Sequence, residues 1–139
     1  MARTRRPQAP PPQRLILDSG AVIALSRHDQ QARASLAAAW EAGVAVSIPS
    51  VVVAETVRGS AKDAAVNRII KAVGEVSGAD EGTGRIAGAL LGAARSHSTI
   101  DAVVVASAIE GGGGVILTGD PDLLGALADG HPEVVVRAL

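Results

Sequence analysis

Residues 15–25 read LILDSGAVIAL, and the placement of the one carboxylate in that stretch decides the fold. Residues 14–18, RLILD, are a short apolar run closed by an acid, the pattern of a strand buried on both faces. A helical stretch follows at once. An aspartate directly after a buried strand must be hydrogen-bonded, paired or metal-bound, because an isolated carboxylate there carries a large desolvation cost.

Working outward, residues 30–42 (QQARASLAAAWEA) are strong helix formers without Gly or Pro, and Gly43 ends them as a C-cap. VAVSI at 44–48 predicts a second strand that stops at Pro49. The following segment, PSVVVAETVR at 49–58, predicts a helix with its proline in the first turn, where the missing N–H costs nothing. Further helices are predicted over 61–73, 80–95, 99–110 and 121–128. Strands are predicted at GEVS (74–77, brief), GVILT (114–118) and EVVVR (133–137). Alternating strands and helices imply an α/β fold with a central parallel sheet covered on both faces. Residues 1–13 (MARTRRPQAPPPQ) have the composition of a disordered arm, which leaves 14–139 as the single domain.

Composition narrows the function. The chain has 139 residues, enough for one core and too few for two. It is 47% hydrophobic, yet no apolar run approaches the ~20 residues that span a bilayer, so no membrane association is expected. Arginines and three successive prolines stand where a secretory signal needs its apolar segment. With no cysteine, disulfides, thiolate metal sites and thiol catalysis are excluded, which fits a reducing cytoplasm. Arg3, Arg5, Arg6 and Arg14 hold four of the 13 basic charges, so from residue 15 onward nine basic residues face fourteen acidic ones. Such a body does not have the one-signed positive footprint of a generic nucleic-acid binder, and a polyanion handled by it needs help from metal cations. Aromatic content of 1%, Trp40 alone, rules out a stacking platform for single-stranded bases.

In a parallel sheet of this kind, ligands bind beyond the carboxyl ends of the strands. Asp18 ends the first strand, Glu55 follows VVVA on the helix after the second, Asp101 opens a helix, and Asp120 with Asp122 follows GVILT. Each has a plain alternative. Asp101 suits a helix N-terminus, Asp120 a turn before Pro121, and Glu55 a solvated helix position. Taken together, Asp18, Glu55 and Asp101 sit in apolar runs with no Lys or Arg next to them, which suggests a shared divalent cation, and carboxylate oxygens are what Mg²⁺ or Mn²⁺ prefer.

The ordered segments LILDSGAVIAL, VVVAETVRG, TIDAVVVASAI and VILTGDPDLL resemble PIN-domain ribonucleases, most closely the VapC-type toxins of bacterial toxin–antitoxin pairs. The resemblance covers residue 14 to about 136. It implies a three-layer α/β/α PIN-like fold and an acidic pocket for Mg²⁺ or Mn²⁺. It further implies endonucleolytic cleavage of an RNA substrate, homodimerisation and neutralisation by a cognate antitoxin protein. The four family acids match Asp18, Glu55, Asp101 and Asp120, with Asp122 on the variable second acid of the last motif and Thr118 on the hydroxyl residue before it. The family often has Thr-Ser after its first acid, whereas this chain has Ser19 and Gly20. Ser19 still supplies a hydroxyl to orient Asp18 or a water; the second hydroxyl is missing.

On this reading Asp18, Glu55 and Asp101 hold the metal, Asp120 is a fourth catalytic acid, and Asp122 acts through water. Attack by water instead of the ribose 2′-OH leaves a 5′-phosphate and a 3′-hydroxyl. Arg58, three residues after Glu55, is expected to pair with that acid or to meet an RNA phosphate. His28, His97 and His131 lack metal-ligand spacing, and Gly111 to Gly114 precede a strand without a Gly-Lys-Ser/Thr, so a flexible turn is expected there. Ala-rich helices at 30–42 and 85–95 fit either core or a dimer face. Two other functions keep the fold, a non-catalytic PIN-like interaction module and a PIN nuclease of housekeeping RNA processing. A phosphotransfer enzyme fits poorly, since no acid stands two places after Asp18 and neither Lys62 nor Lys71 follows a late strand.

Overall fold

A computed structural model describes residues 13–139; the arm expected over 1–13 lies, apart from Gln13, outside the described residues. The chain runs β1 (Arg14–Leu17), α1 (Ser19–Ser26), α2 (Gln30–Glu41), β2 (Ala45–Pro49), α3 (Ser50–Thr56), a 3₁₀ turn (Ala61–Asp63), α4 (Ala64–Val73), β3 (Val76–Ser77), α5 (Glu81–Ala94), α6 (Thr99–Glu110), β4 (Gly114–Thr118), α7 (Pro121–Leu127) and β5 (Val134–Ala138). All five strands are parallel, in the order β3-β2-β1-β4-β5.

The order follows from the sequence pattern. The most apolar strands, LIL of β1 and VIL of β4, are neighbours in the middle of the sheet, with Ile16 beside Ile116 and Leu17 beside Leu117. All four side chains are buried. Parallel crossovers are right-handed, so a chain that first winds β1→β2→β3 and then returns to β4→β5 puts its helices on opposite faces. Accordingly α1 packs against α2, α3 and α4 in one layer, and α5 against α6 and α7 in the other. The result is the three-layer α/β/α architecture expected from the alternation.

Two boundaries matter for the site. β1 ends at Leu17, and Asp18 caps α1 through its side chain, which accepts from the Ala21 N–H. α3 stops at Thr56, two residues before the expected end, because Val57 is extended (ψ 138°).

The glycine run Gly111 to Gly114 forms the expected turn into β4, with its backbone hydrogen-bonded throughout. Its four N–H groups donate to the carbonyls of Ser107, Ile109, Ala108 and Glu133 in turn, so none remains to hold a phosphate. Gly113 has φ +106°, and a Cβ there would lie 2.4 Å from the Glu133 carbonyl oxygen.

Candidate functional site

The winding direction reverses between β1 and β4, and the crevice beyond their carboxyl ends is where such sheets bind ligands. Asp18 lies on its floor, 5% exposed. Its N–H donates to the Leu117 carbonyl at 3.2 Å, and its Oδ1 accepts from the Ala21 N–H at 2.9 Å. The Thr118 hydroxyl and the Gly119 N–H face this carboxylate and favour its charged form. Burial pushes the Asp18 pKa up from its ordinary 3.8, those donors pull it back, and the charge of Glu55 adds to the rise.

Thr118 is fully buried and serves two loops at once. Besides reaching Asp18, its Oγ1 accepts from the Asp120 N–H at 2.9 Å, while Asp120 caps α7 by accepting from the Leu123 N–H at 3.2 Å. Glu55, on α3, accepts a short hydrogen bond from the Ser19 hydroxyl. Asp101, in the first turn of α6, is partly buried; burial raises its pKa first, then the charges of Glu55, Asp18 and Asp120. Asp101 thus feels all three other acids, which come from separate elements. Among the described residues the ion pairs are Arg85–Glu81 and His131–Glu133, so none of these four acids has a cationic partner.

A PIN domain family model matches residues 15–128. The chain belongs to the PIN domain family. No curated protein matches its sequence. Solved structures share the fold at low identity. VapBC2 from Rickettsia felis, bound to a DNA fragment from their promoter, is 13% identical with a TM-score of 0.72, covering 90% of this chain and 98% of that one. A toxin–antitoxin complex from Klebsiella pneumoniae is 19% identical with a TM-score of 0.67, covering 87% and 95%. FitAcB from Neisseria gonorrhoeae is 19% identical with a TM-score of 0.58, covering 88% and 95%.

This PIN domain therefore brings four of the five expected acids into one electrostatic neighbourhood. Asp122 is exposed in the first turn of α7 and shares no hydrogen bond with the other four. Among the described residues no three or more Asp, Glu, His or Cys side chains stand where they could together hold a metal ion. Mutual repulsion keeps such groups apart, and Mg²⁺ needs only one or two direct carboxylates, completing its shell with water. The donor set, all carboxylate and without a counter-charge, fits that ion.

Arg58 departs from expectation. It forms no ion pair with Glu55, because the helix ends between them and the three-residue spacing no longer describes one face. Its guanidinium donates instead to the carbonyls of Ala54 and Val57, each at 3.0 Å.

Asp63 was not among the expected functional acids, yet it is buried and accepts from the N–H groups of Arg58, Gly59 and Ser60. Those bonds, with Arg58's N–H first, hold its pKa below 3.8. It clamps the turn that leaves α3. The pattern Ser60-x-x-Asp63, a capping box, was the signal available in the sequence.

Proposed function

We propose that this PIN domain is a Mg²⁺- or Mn²⁺-dependent endoribonuclease and the toxin of a toxin–antitoxin pair. The observation that carries the reading is Asp101, whose pKa is raised first by burial and then by the charges of Glu55, Asp18 and Asp120, while no cationic side chain among the described residues pairs with any of the four. Asp18, Glu55 and Asp101 would hold the cation, Asp120 would be the fourth acid, and Asp122 would act through water.

When bound, a divalent cation supplies a Lewis acid and a water acidic enough to attack phosphate near neutral pH. The chain's own residues do the positioning. Ser19 holds Glu55, Thr118 ties Asp18 to the Asp120 loop, and the α1 cap leaves Asp18 one orientation. With no serine, cysteine or histidine needed as nucleophile, hydrolysis leaves a 5′-phosphate and a 3′-hydroxyl.

A partner is supported by the surface. Leu25, Leu36, Trp40 and Ile69 line a groove of about 300 Å³ between α1, α2 and α4, with His28 and Arg33 at its rim. Trp40, the one aromatic side chain of the protein, is 49% exposed there. An amphipathic helix of an antitoxin would cover it. A second groove of about 690 Å³, lined by Ile86, Leu90, Ile109 and Leu127, suits a second copy in a homodimer. No described helix is long and apolar enough to cross a membrane, and a cytoplasmic site of action accords with the reading.

The test is cleavage of RNA by purified protein with Mg²⁺ or Mn²⁺, its loss with EDTA, and its loss in Asp18→Asn. In cells, expression alone should slow growth, co-expression with the neighbouring small gene should relieve it, and Asp18→Asn should be harmless. Equal toxicity of wild type and Asp18→Asn, with no RNA cleavage by either, would refute the proposal and leave a non-catalytic module; cleavage that survives EDTA would refute the metal dependence.

A further inference from the structure

Two glycines face each other across the crevice. An ideal Cβ on Gly20 would lie 3.0 Å from the Gly119 nitrogen, 3.1 Å from its Cα and 3.5 Å from Asp18 Oδ1. The nitrogen it would press on carries the N–H that faces the Asp18 carboxylate and favours its charged form. A contact at 3.0 Å with main chain is not relieved by rotating a side chain, so the β4–α7 turn would have to move. The relation is not symmetric. A Cβ on Gly119 would meet Gly20 Cα at 3.6 Å and Leu139 Cδ1 at 3.7 Å, both ordinary contacts. The constraint therefore lies at position 20.

Asp18 accepts a hydrogen bond from the Ala21 N–H, and the Thr118 hydroxyl and Gly119 N–H face the same carboxylate. The first belongs to its own helix and the other two to the neighbouring strand's end, so the turn after β4 fixes how the carboxylate is rotated. We infer that Gly20 is a positioning residue: by carrying no side chain it admits the Gly119 amide to Asp18 and so fixes the orientation in which Asp18 offers its remaining lone pairs to a divalent cation. Position 20 thus does its work here by being empty. The inference rests on the reading of Asp18 as a metal ligand. Partners that orient a ligand from outside the coordination shell are typically worth about 10- to 100-fold in metal affinity.

The test is calorimetric titration of Mn²⁺ into wild type, Gly20→Ala and Gly125→Ala, with melting curves of the cation-free proteins. Gly125 lies on α7 with nothing within 4 Å of its ideal Cβ, so it controls for a generic glycine replacement. Gly20→Ala should bind Mn²⁺ at least about tenfold more weakly, and Gly125→Ala as wild type does. Wild-type affinity in Gly20→Ala would overturn the inference, whereas no Mn²⁺ binding by wild type would overturn the site itself. Should Gly20→Ala fail to fold, hydrogen exchange in the wild-type protein decides. The Gly119 amide should be protected, and should lose that protection in Asp18→Ala; rapid exchange in wild type would overturn the inference.

Discussion

The Ser19 hydroxyl donates to the Glu55 carboxylate, joining the first turn of α1 to α3 across 36 positions of sequence. Glu55 is otherwise an exposed side chain with several rotamers open to it, and this bond selects one. Ser19→Ala should lower the kcat/KM for RNA roughly tenfold, the order expected for losing one hydrogen bond to a charged group. Ser19→Thr should keep most of the activity, and the melting temperatures of all three proteins should agree.

Acidity provides a second check. Asp18 and Asp101 have pKa values raised above 3.8, so between 3.8 and the raised values the folded, cation-free protein binds more protons than the unfolded chain. Stability must then fall as pH rises through that window, with the whole penalty present above it. Melting curves in EDTA should show the protein gaining stability from neutral toward mildly acid pH, and Asp101→Asn should flatten that gain. Asp63 and Asp80, both lowered first of all by backbone N–H donors, act in the opposite direction but only below 3.8.

Ser47, in the middle of β2, is 2% exposed, and its hydroxyl has no hydrogen-bond partner. Ser47→Ala removes an unsatisfied polar group without opening much space. It should stabilise the protein by about 1 kcal/mol, a rise of about 4 °C in melting temperature for a chain of this size. A loss of stability would mean that an ordered water satisfies the hydroxyl.

The glycine turn before β4 separates conformational cost from collision. Gly112 has φ +86° and open space around it, so Gly112→Ala should cost about 1 kcal/mol. Gly113→Ala adds a contact with the Glu133 carbonyl and should cost about 3 kcal/mol in denaturant melts.

What could be read from the sequence followed local physics. β1 and β4 were legible because uninterrupted Leu, Ile and Val bounded by turn residues has few other uses, and Asp18 was legible because a carboxylate at the end of such a run is costly. The failures came where a tertiary neighbour decides. Arg58 was placed on Glu55's helical face, but the helix stops at Thr56 and the Asp63 carboxylate gathers the turn beyond it. Gly111 to Gly114 were legible as a turn because glycine is permissive, but the packing of Glu133 and Arg14 against it, from segments far away in sequence, was not. The missing hydroxyl at position 20 read as a loss. A Cβ there would meet the Gly119 main chain, some hundred residues later.

The pairing of β1 with β4, Leu15 beside Val115 and Leu17 beside Leu117, also bears on when during synthesis the acids come together. During synthesis, Asp18 and Glu55 leave the ribosome early, but the strand that completes the crevice, with Thr118 and Asp120 at its end, is made in the last part of the described chain. A contact between such distant segments forms late and slowly. A nascent or truncated chain therefore lacks the complete acid cluster, and under the function proposed above a partner made beforehand would have the whole elongation time to be waiting when that cluster forms.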